Sequence, residues 1–335
     1  MKGKSFRKVV WLLGFLFVTL ILAGPLHPAA ASEAKYPTKP IKMICPYAAG
    51  GSTDIAARTL ANAIQEFLGQ SVVVMNVTGA GGAVGFDEVR KSEPDGYKMF
   101  AAAIGANALT PAMNTKLHFK YDEITFISRT QINPMVLFVS AKSPWKTFEE
   151  FAAAIKKDPK IIKYSTAGLA TTSHIGGVLV FRAVGFTGKE GEPVHFDSDN
   201  EASLAVGRGD AHFFLGNLVG AMGNLKGGLI RALAVTTPER LKDLKDVPTF
   251  KELSIPQIDL VGWRGVCGPP KLSPAIVKVW EEAVRKAVQS PKWLEPAEKL
   301  GDFPAYLNAK DFETFVHAEF KRYRELYTDV GLLIK

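Results

Sequence analysis

Two cysteines in 335 residues are too few for a disulfide scaffold or a four-ligand zinc site. The histidines beyond the N-terminal segment are His118, His174, His195, His212 and His317, and no two stand at metal-ligand spacing. There is no H-E-x-x-H, no G-x-S-x-G and no G-x-x-x-x-G-K-[ST], which removes the zinc-protease helix, the hydrolase elbow and the P-loop. No metal, cofactor or catalytic group is therefore expected. Charged residues are only 22% of the chain against 47% hydrophobic, the balance of a globular protein with a sizeable core. Beyond the N-terminus no apolar run reaches 18 residues, so no membrane-spanning helix is expected there.

What the chain does have is a formal charge of +8, which invites a nucleic-acid or anionic-membrane reading until it is located. Four of the cations, Lys2, Lys4, Arg7 and Lys8, precede the 16-residue apolar run Val9 to Gly24. Pro25, Pro28 and Ala29-Ala30-Ala31 follow, completing the outline of a signal peptide over residues 1–31, with cleavage expected after Ala31 and Ala34 as the second choice. An uncleaved anchor is the alternative. Without residues 1–31 the chain holds 37 basic and 33 acidic residues, a net charge of +4, so half of the basic signal is an export address. A soluble periplasmic protein that does not bind nucleic acid is expected.

From Lys39 onward short apolar runs alternate with helical periodicity, the pattern of an α/β fold with parallel strands and crossover helices. Ile41 to Cys45, Val72 to Met75 and Tyr97 to Ala102 read as strands. Between them lie helices marked by Ile55, Ala56, Leu60, Ile64, Phe67 and Leu68 and by Ala83 to Lys91, which makes a βαβαβ unit. A second such run covers Met135 to Val139, a helix at Thr147 to Lys157, and strands near Ile162 to Tyr164 and Val194 to Phe196. Ile230 to Thr236 reads as a further strand, and helices are expected at Pro274 to Gln289 and Ala309 to Val330. Two doubly wound α/β lobes are implied, with lobe 1 formed by 32–130 plus 235–335 and lobe 2 by 131–234.

The stretch Pro46-Tyr47-Ala48-Ala49-Gly50-Gly51-Ser52-Thr53-Asp54 joins the first strand to the first helix. Its glycines admit close backbone approach, Ser52, Thr53 or Asp54 can cap the helix, and the N-terminal amides favour a carboxylate or phosphate. Gly79-Ala80-Gly81-Gly82 opens at the same sheet edge, where α/β folds bind ligands, yet it fits no dinucleotide fingerprint. Thr171, Thr172, Ser173 and His174 stand at another helix start, and Asp197 and Asn200 follow a strand. Plain caps are the competing reading at each place, and Ser198 with Glu201 fits a capping box. Cys45 and Cys267 fall in strands as small buried side chains, with a disulfide as the alternative.

Together these residues resemble the solute-binding proteins of tripartite tricarboxylate transporters, the Bug/TctC family of periplasmic receptors. The likeness rests on Tyr36-Pro37-x-Lys39-Pro40-Ile41, the Pro46 to Asp54 and Gly79 to Gly82 loops, Pro94 to Tyr97, Ser173-His174, Gly209-Asp210, Arg231 to Thr236 and Asp246 to Thr249. The resemblance implies a type II periplasmic-binding-protein fold with the ligand in a cleft between two lobes. It implies a small organic carboxylate held by Tyr47, Ala48, Gly50, Gly51, Ser52, Thr53, Asp54 and the Gly79, Ala80, Gly81, Gly82 loop. Thr171, Thr172, Ser173, His174, Asp197 and Asn200 would close over it from lobe 2. Its partners would be the large and small integral-membrane subunits of such a transporter, with the receptor itself a monomer.

Phe196 to Asn200 departs from the aromatic-Lys-Gly turn of many relatives, which replaces a cation with acids and disfavours citrate-like ligands. Tyr47-Ala48-Ala49 departs from a more usual aromatic-x-Pro. Other readings are a sensory protein that presents its closed form to a receptor kinase, and an exported hydrolase using Ser52 or Ser173 with His174.

Overall fold

The computed structural model describes residues 36–299 and 301–335. The expected signal peptide and its cleavage site lie outside the described residues. The body that carries both sheets is Lys39–Lys335. It begins with β1 (Ile41–Cys45), α1 (Ser52–Leu68), β2 (Val72–Asn76), α2 (Ala83–Arg90) and β3 (Lys98–Ala103), followed by a π-turn at Gly105–Leu109. β4 (Thr125–Asn133) and β5 (Met135–Ser140) lead into α3 (Phe148–Lys157), β6 (Lys163–Thr166), α4 (Thr172–Ala183), β7 (Glu192–His195), α5 (Asp199–Arg208), β8 (Phe213–Asn217), α6 (Leu218–Lys226) and β9 (Ile230–Val235). The chain ends with β10 (Gly262–Gly268), α7 (Pro274–Ala287), α8 (Pro291–Lys299), β11 (Phe303–Leu307) and α9 (Ala309–Asp329).

The strands form two sheets, ordered β11-β4-β10-β3-β1-β2 and β7-β6-β8-β5-β9. Among the described strands, β3-β1-β2 and β8-β6-β7 pair in parallel. β4, β10 and β11, like β5 and β9, pair antiparallel, so the sheets are mixed rather than wholly parallel. The chain passes between the sheets from β4 to β5 and from β9 to β10, where no α-helix intervenes to turn the chain round. The first passage occurs at Pro134, beyond the boundary expected at 130/131, because β4 stays paired with β10 through Asn133.

In each sheet the first strand of the βαβ unit lies between its two successors, so connections leave β1 and β6 in opposite directions. That is the switch point where loops diverge and leave a crevice at the carboxyl edge. Helices cover both faces of the second sheet. Phe213 and Leu215 point to one side with Phe151, Val180 and Phe181, while Phe214 points to the other with Ala202, Val206 and Ala221. α1 buries Ala56, Leu60, Ile64 and Leu68, as its periodicity requires. Ile55 and Phe67, also expected on that face, are exposed; at 100° per residue Ile55 is turned roughly 140° from Leu60. Gly69, left-handed at φ 69°, ends the helix.

Candidate functional site

Three connections meet at the carboxyl edge of the first sheet. The first runs from Pro46 to Gly51, and α1 begins after it with Gly51 as N-cap and no side chain bonded to its first-turn amides. Ser52, Thr53 and Asp54 thus do not cap the helix as expected; they are its first three residues. The Asp54 carboxylate instead turns back, accepting from the Gly50 amide (2.9 Å), Asn76 Nδ2 (2.8 Å) and Arg58 Nε (3.1 Å). Asn76 Nδ2 also donates to the Tyr47 carbonyl at 2.9 Å, tying β2 to the loop. Burial would raise the carboxyl of Asp54, but bonds from Arg58, Gly50 and Asn76 outweigh it and hold the group below its ordinary range. Ala48 and Gly50 are exposed, and Gly51, Ser52 and Thr53 half-buried, so an anion can approach the first-turn amides of Ser52 and Thr53, which no side chain caps.

The second connection, Gly79 to Gly82, is a left-handed turn in which Ala80, Gly81 and Gly82 have φ of 47°, 65° and 94°. Thr110 Oγ1 donates to the Gly81 carbonyl at 2.9 Å. A Cβ on Gly82 would stand 2.7 Å from Ala106 Cβ and 3.2 Å from Pro46 Cβ, so the absence of a side chain is what lets all three connections touch. The third is the π-turn at Gly105–Leu109, which no motif announced. Tyr47 packs its phenol against Gly105, where a Cβ would lie 2.2 Å from the hydroxyl oxygen. Burial raises that phenol, with the Ala106 amide pulling the other way.

In the second sheet, Thr171 caps α4 by accepting from the His174 amide at 3.3 Å. Ser173 Oγ accepts from the Ala167 amide (2.8 Å) and bonds Thr171 Oγ1 (3.0 Å), while His174 Nδ1 accepts from the Ala170 amide (3.4 Å). Both Ser173 and His174 are buried and shape the 167–171 loop from beneath; the half-buried Thr171 and Thr172 remain at its surface. Nucleophile-to-base geometry is not what this pair forms, since each side chain is engaged with loop backbone. Asp197 and Asn200 are exposed. The Asp197 amide donates to Glu201, and Ser198 caps α5, a capping box shifted by one residue. Asn200 accepts from Asn224 through its carbonyl and side-chain oxygens.

The residues that charge the site are others. Arg264, on β10 and 6% exposed, places Nη1 3.0 and 3.1 Å from the two oxygens of Asp302, to which Gln131 also donates. Arg264, Gln131 and Thr53 border one small void of about 10 Å³ together with Ala56 and Ala57, which sets Arg264 against the first turns of α1. Across from it, desolvation pushes the carboxyl of Asp199, in the first turn of α5, up to about 6, with the Arg264 charge and the Asn217 amide opposing. Asn217, at the end of β8, is buried with its Oδ1 unpartnered. Arg264 and Asn217 carry no motif signal, and Asp199 was visible only as a neighbour of Asp197. Cys45 and Cys267 are buried free thiols, one donating to the Tyr47 carbonyl and the other accepting from Asn107.

The pattern described as tripartite tricarboxylate transporter family receptor matches residues 56–332. The chain belongs to this receptor family. The receptor is 27% identical to protein BugT of Bordetella pertussis over 97% of its own length and 98% of the relative's. Its fold superposes on a solved periplasmic transporter with a TM-score of 0.80 at 28% identity, covering 90% of the receptor and all of that chain. It superposes on R. palustris Rpa4515, solved with adipate, at TM-score 0.78 and 25% identity over 88% and 98% of the two chains. The two-lobed architecture of a periplasmic solute-binding receptor is thereby shown, one lobe on each sheet.

His174 gives the receptor a pH signature. Its ring is 1% exposed, stacked on Tyr164 and set edge-on to His195, and burial with the neighbouring His195 lowers its pKa from 6.5 to about 4. The unfolded chain therefore takes up this proton first. Stability from His174 is complete above pH 6.5 and is lost as pH falls towards 4. Asp199, raised to about 6, acts in the opposite sense below that pH. Urea midpoints measured from pH 7.5 to 4 should fall more steeply in the wild type than in His174→Phe, and equal slopes would remove His174 as the cause.

Proposed function

We propose that the receptor captures a small organic carboxylate between its lobes and delivers it to the large and small integral-membrane subunits of a tripartite tricarboxylate-type transporter. The observation that carries this reading is the uncapped start of α1, whose amides open beside the glycine turn at 79–82 in a loop braced by Asp54. One ligand carboxylate would lie on the first-turn amides of Ser52 and Thr53, bordered by Tyr47, Ala48 and the Gly79 to Gly82 turn. Lobe 2, residues 131–234 of the expected division, would close from Thr171, Thr172 and Asp199, with Asn217 offering its unmatched oxygen. Contacts to both lobes would select the shut form, the state a membrane partner distinguishes.

The adipate carried by Rpa4515 supports a ligand with a carboxylate head. Export to the periplasm as a monomer, with cleavage after Ala31, belongs to the same proposal. Arg264 changes the expectation about charge: the cation lacking at Phe196 to Asn200 is present on lobe 1, already half-matched by Asp302. A thermal-unfolding screen of mono-, di- and tricarboxylates and amino acids tests the reading. A true ligand at a hundredfold excess over its Kd should stabilise the receptor by about 2.7 kcal/mol. A panel of that breadth in which nothing moves the transition would overturn it.

A further inference from the structure

The second lobe has a cavity of about 560 Å³ lined by Lys142, Trp145, Leu204, Arg208, His212 and Leu229, among others. It does not belong to the cleft. Ser140 ends β5, Leu229 precedes β9 and His212 precedes β8, whereas Thr171 and Asn217 of the proposed cleft follow β6 and end β8. Because β8 is antiparallel to β5 and parallel to β6, the cavity sits at the opposite edge of the sheet, about 17 Å away along a five-residue strand.

Hydrogen bonds and ring contacts fix the walls. Arg231 donates from Nη1 to the Trp145 carbonyl (2.9 Å) and from Nη2 to the Ala141 carbonyl (3.0 Å), pinning the 141–145 segment. Trp145 packs on Phe151 and tilts over His212 at 6.3 Å between ring centroids. His212 Nδ1 accepts from the Lys163 amide at 3.0 Å, so the neutral ring carries its proton on Nε2. On the far wall Gly207 lets α5 close on Leu229, since a Cβ there would stand 3.1 Å from Leu229 Cβ. Leu229 is 42% exposed, an apolar surface left open beside two cations.

The electrostatics are one-sided. Lys142 and Arg208 line the cavity without an ion pair among the described residues, and no carboxylate lines it. An indole and two leucine side chains supply the apolar surface, and the size falls in the range of small-molecule pockets. We propose that this cavity is a second binding site, specific for a small organic anion that joins an acidic head to a flat apolar body. The head would pair with Lys142 and Arg208 while the body lies against Trp145, Leu204 and Leu229. Arg208 stacks or forks on such a head in a way a lysine does not.

Naphthoate is the probe, with acetate and inorganic phosphate as controls lacking one half of the recognition. Calorimetric titration of the full chain and of Asp54→Ala should give the same naphthoate affinity, because the cleft is not involved. Lys142→Glu with Arg208→Glu should weaken naphthoate at least tenfold and leave carboxylate-induced stabilisation through the cleft unchanged. Trp145→Phe should abolish the fluorescence quench that naphthoate causes. Acetate and phosphate should bind at least tenfold more weakly than naphthoate. The proposal is overturned if naphthoate does not bind at millimolar concentration, if Asp54→Ala abolishes its binding, or if the charge reversals leave its affinity unchanged. A cleft with no ligand in the carboxylate screen would overturn the proposed function and leave this site standing.

Discussion

Replacing Arg264 with methionine will destabilise the receptor by about 3–5 kcal/mol, the cost of removing one member of a buried ion pair. Arg264 and Asp302 have side-chain exposures of 7% and 2%, and Nη1 reaches both carboxylate oxygens. Without the guanidinium, Asp302 keeps Gln131 as a donor but loses its counter-charge. The carboxylate must then either remain charged in a poorly solvated place or take up a proton, and both outcomes penalise the fold. The second substitution Asp302→Asn in the Arg264→Met background should restore most of the lost stability, since the uncompensated charge goes with it. Urea unfolding of wild type, the single and the double variants measures this directly. A single variant within 1 kcal/mol of wild type would show that the pair contributes little. The double variant separates fold from function: with stability recovered, its carboxylate affinity should still fall about tenfold, because the Arg264 cation is gone.

Asp54→Ala should reduce carboxylate affinity about a hundredfold while the receptor stays folded. The carboxylate is the acceptor for the Gly50 amide, for Asn76 and for Arg58, so its loss releases the 46–51 loop on three sides. Each buried donor left without a partner costs roughly 1–3 kcal/mol. The partly exposed Arg58 and the exposed Gly50 recover solvent, leaving Asn76 as the main loss. Most of that energy is expected to appear as looseness of the loop, which must then be ordered again each time a ligand binds. Titration with any ligand from the thermal screen, together with an unfolding curve to verify the fold, checks this. Unchanged affinity would place the carboxylate elsewhere than the start of α1. Gly51, by contrast, has φ −71°, which suits any residue; the sterically demanding glycine is Gly82.

The regular elements were legible because their signals are local. β1, α1, β2 and α2 follow from apolar periodicity and from glycine at the turns, and the family likeness follows from motifs placed in order along the chain. The convergence of glycine-rich connections at one edge of the first sheet was legible for the same reason, since they follow successive parallel strands. Ser173 and His174 support the 167–171 loop from within, which the sequence does not show because a hydroxyl and an imidazole at a helix start look alike whether they face outward or inward. Asp197, Asp199 and Asn200 are three polar residues at one helix start, which the sequence alone does not rank. Only helix phase and the position of Gly220, where a Cβ would come within 2.3 Å of Asp199 Cβ, select the residue that points inward.

The sequence by itself determined an α/β chain of two lobes, an N-terminal segment with the outline of an export signal, and two glycine turns suited to an anion. The tertiary structure alone decided which charges act. Arg264 meets Asp302, Gln131 and the field of Asp199, residues that lie 38, 133 and 65 positions away. The cavity behind Trp145 likewise joins the ends of three strands and a helix. Periodicity reports which face of one element is buried. Which distant charge it is buried against depends on strand order, because antiparallel pairing of β10 with β3 and β4 brings Arg264 opposite Ala103 and Gln131, against the first turns of α1.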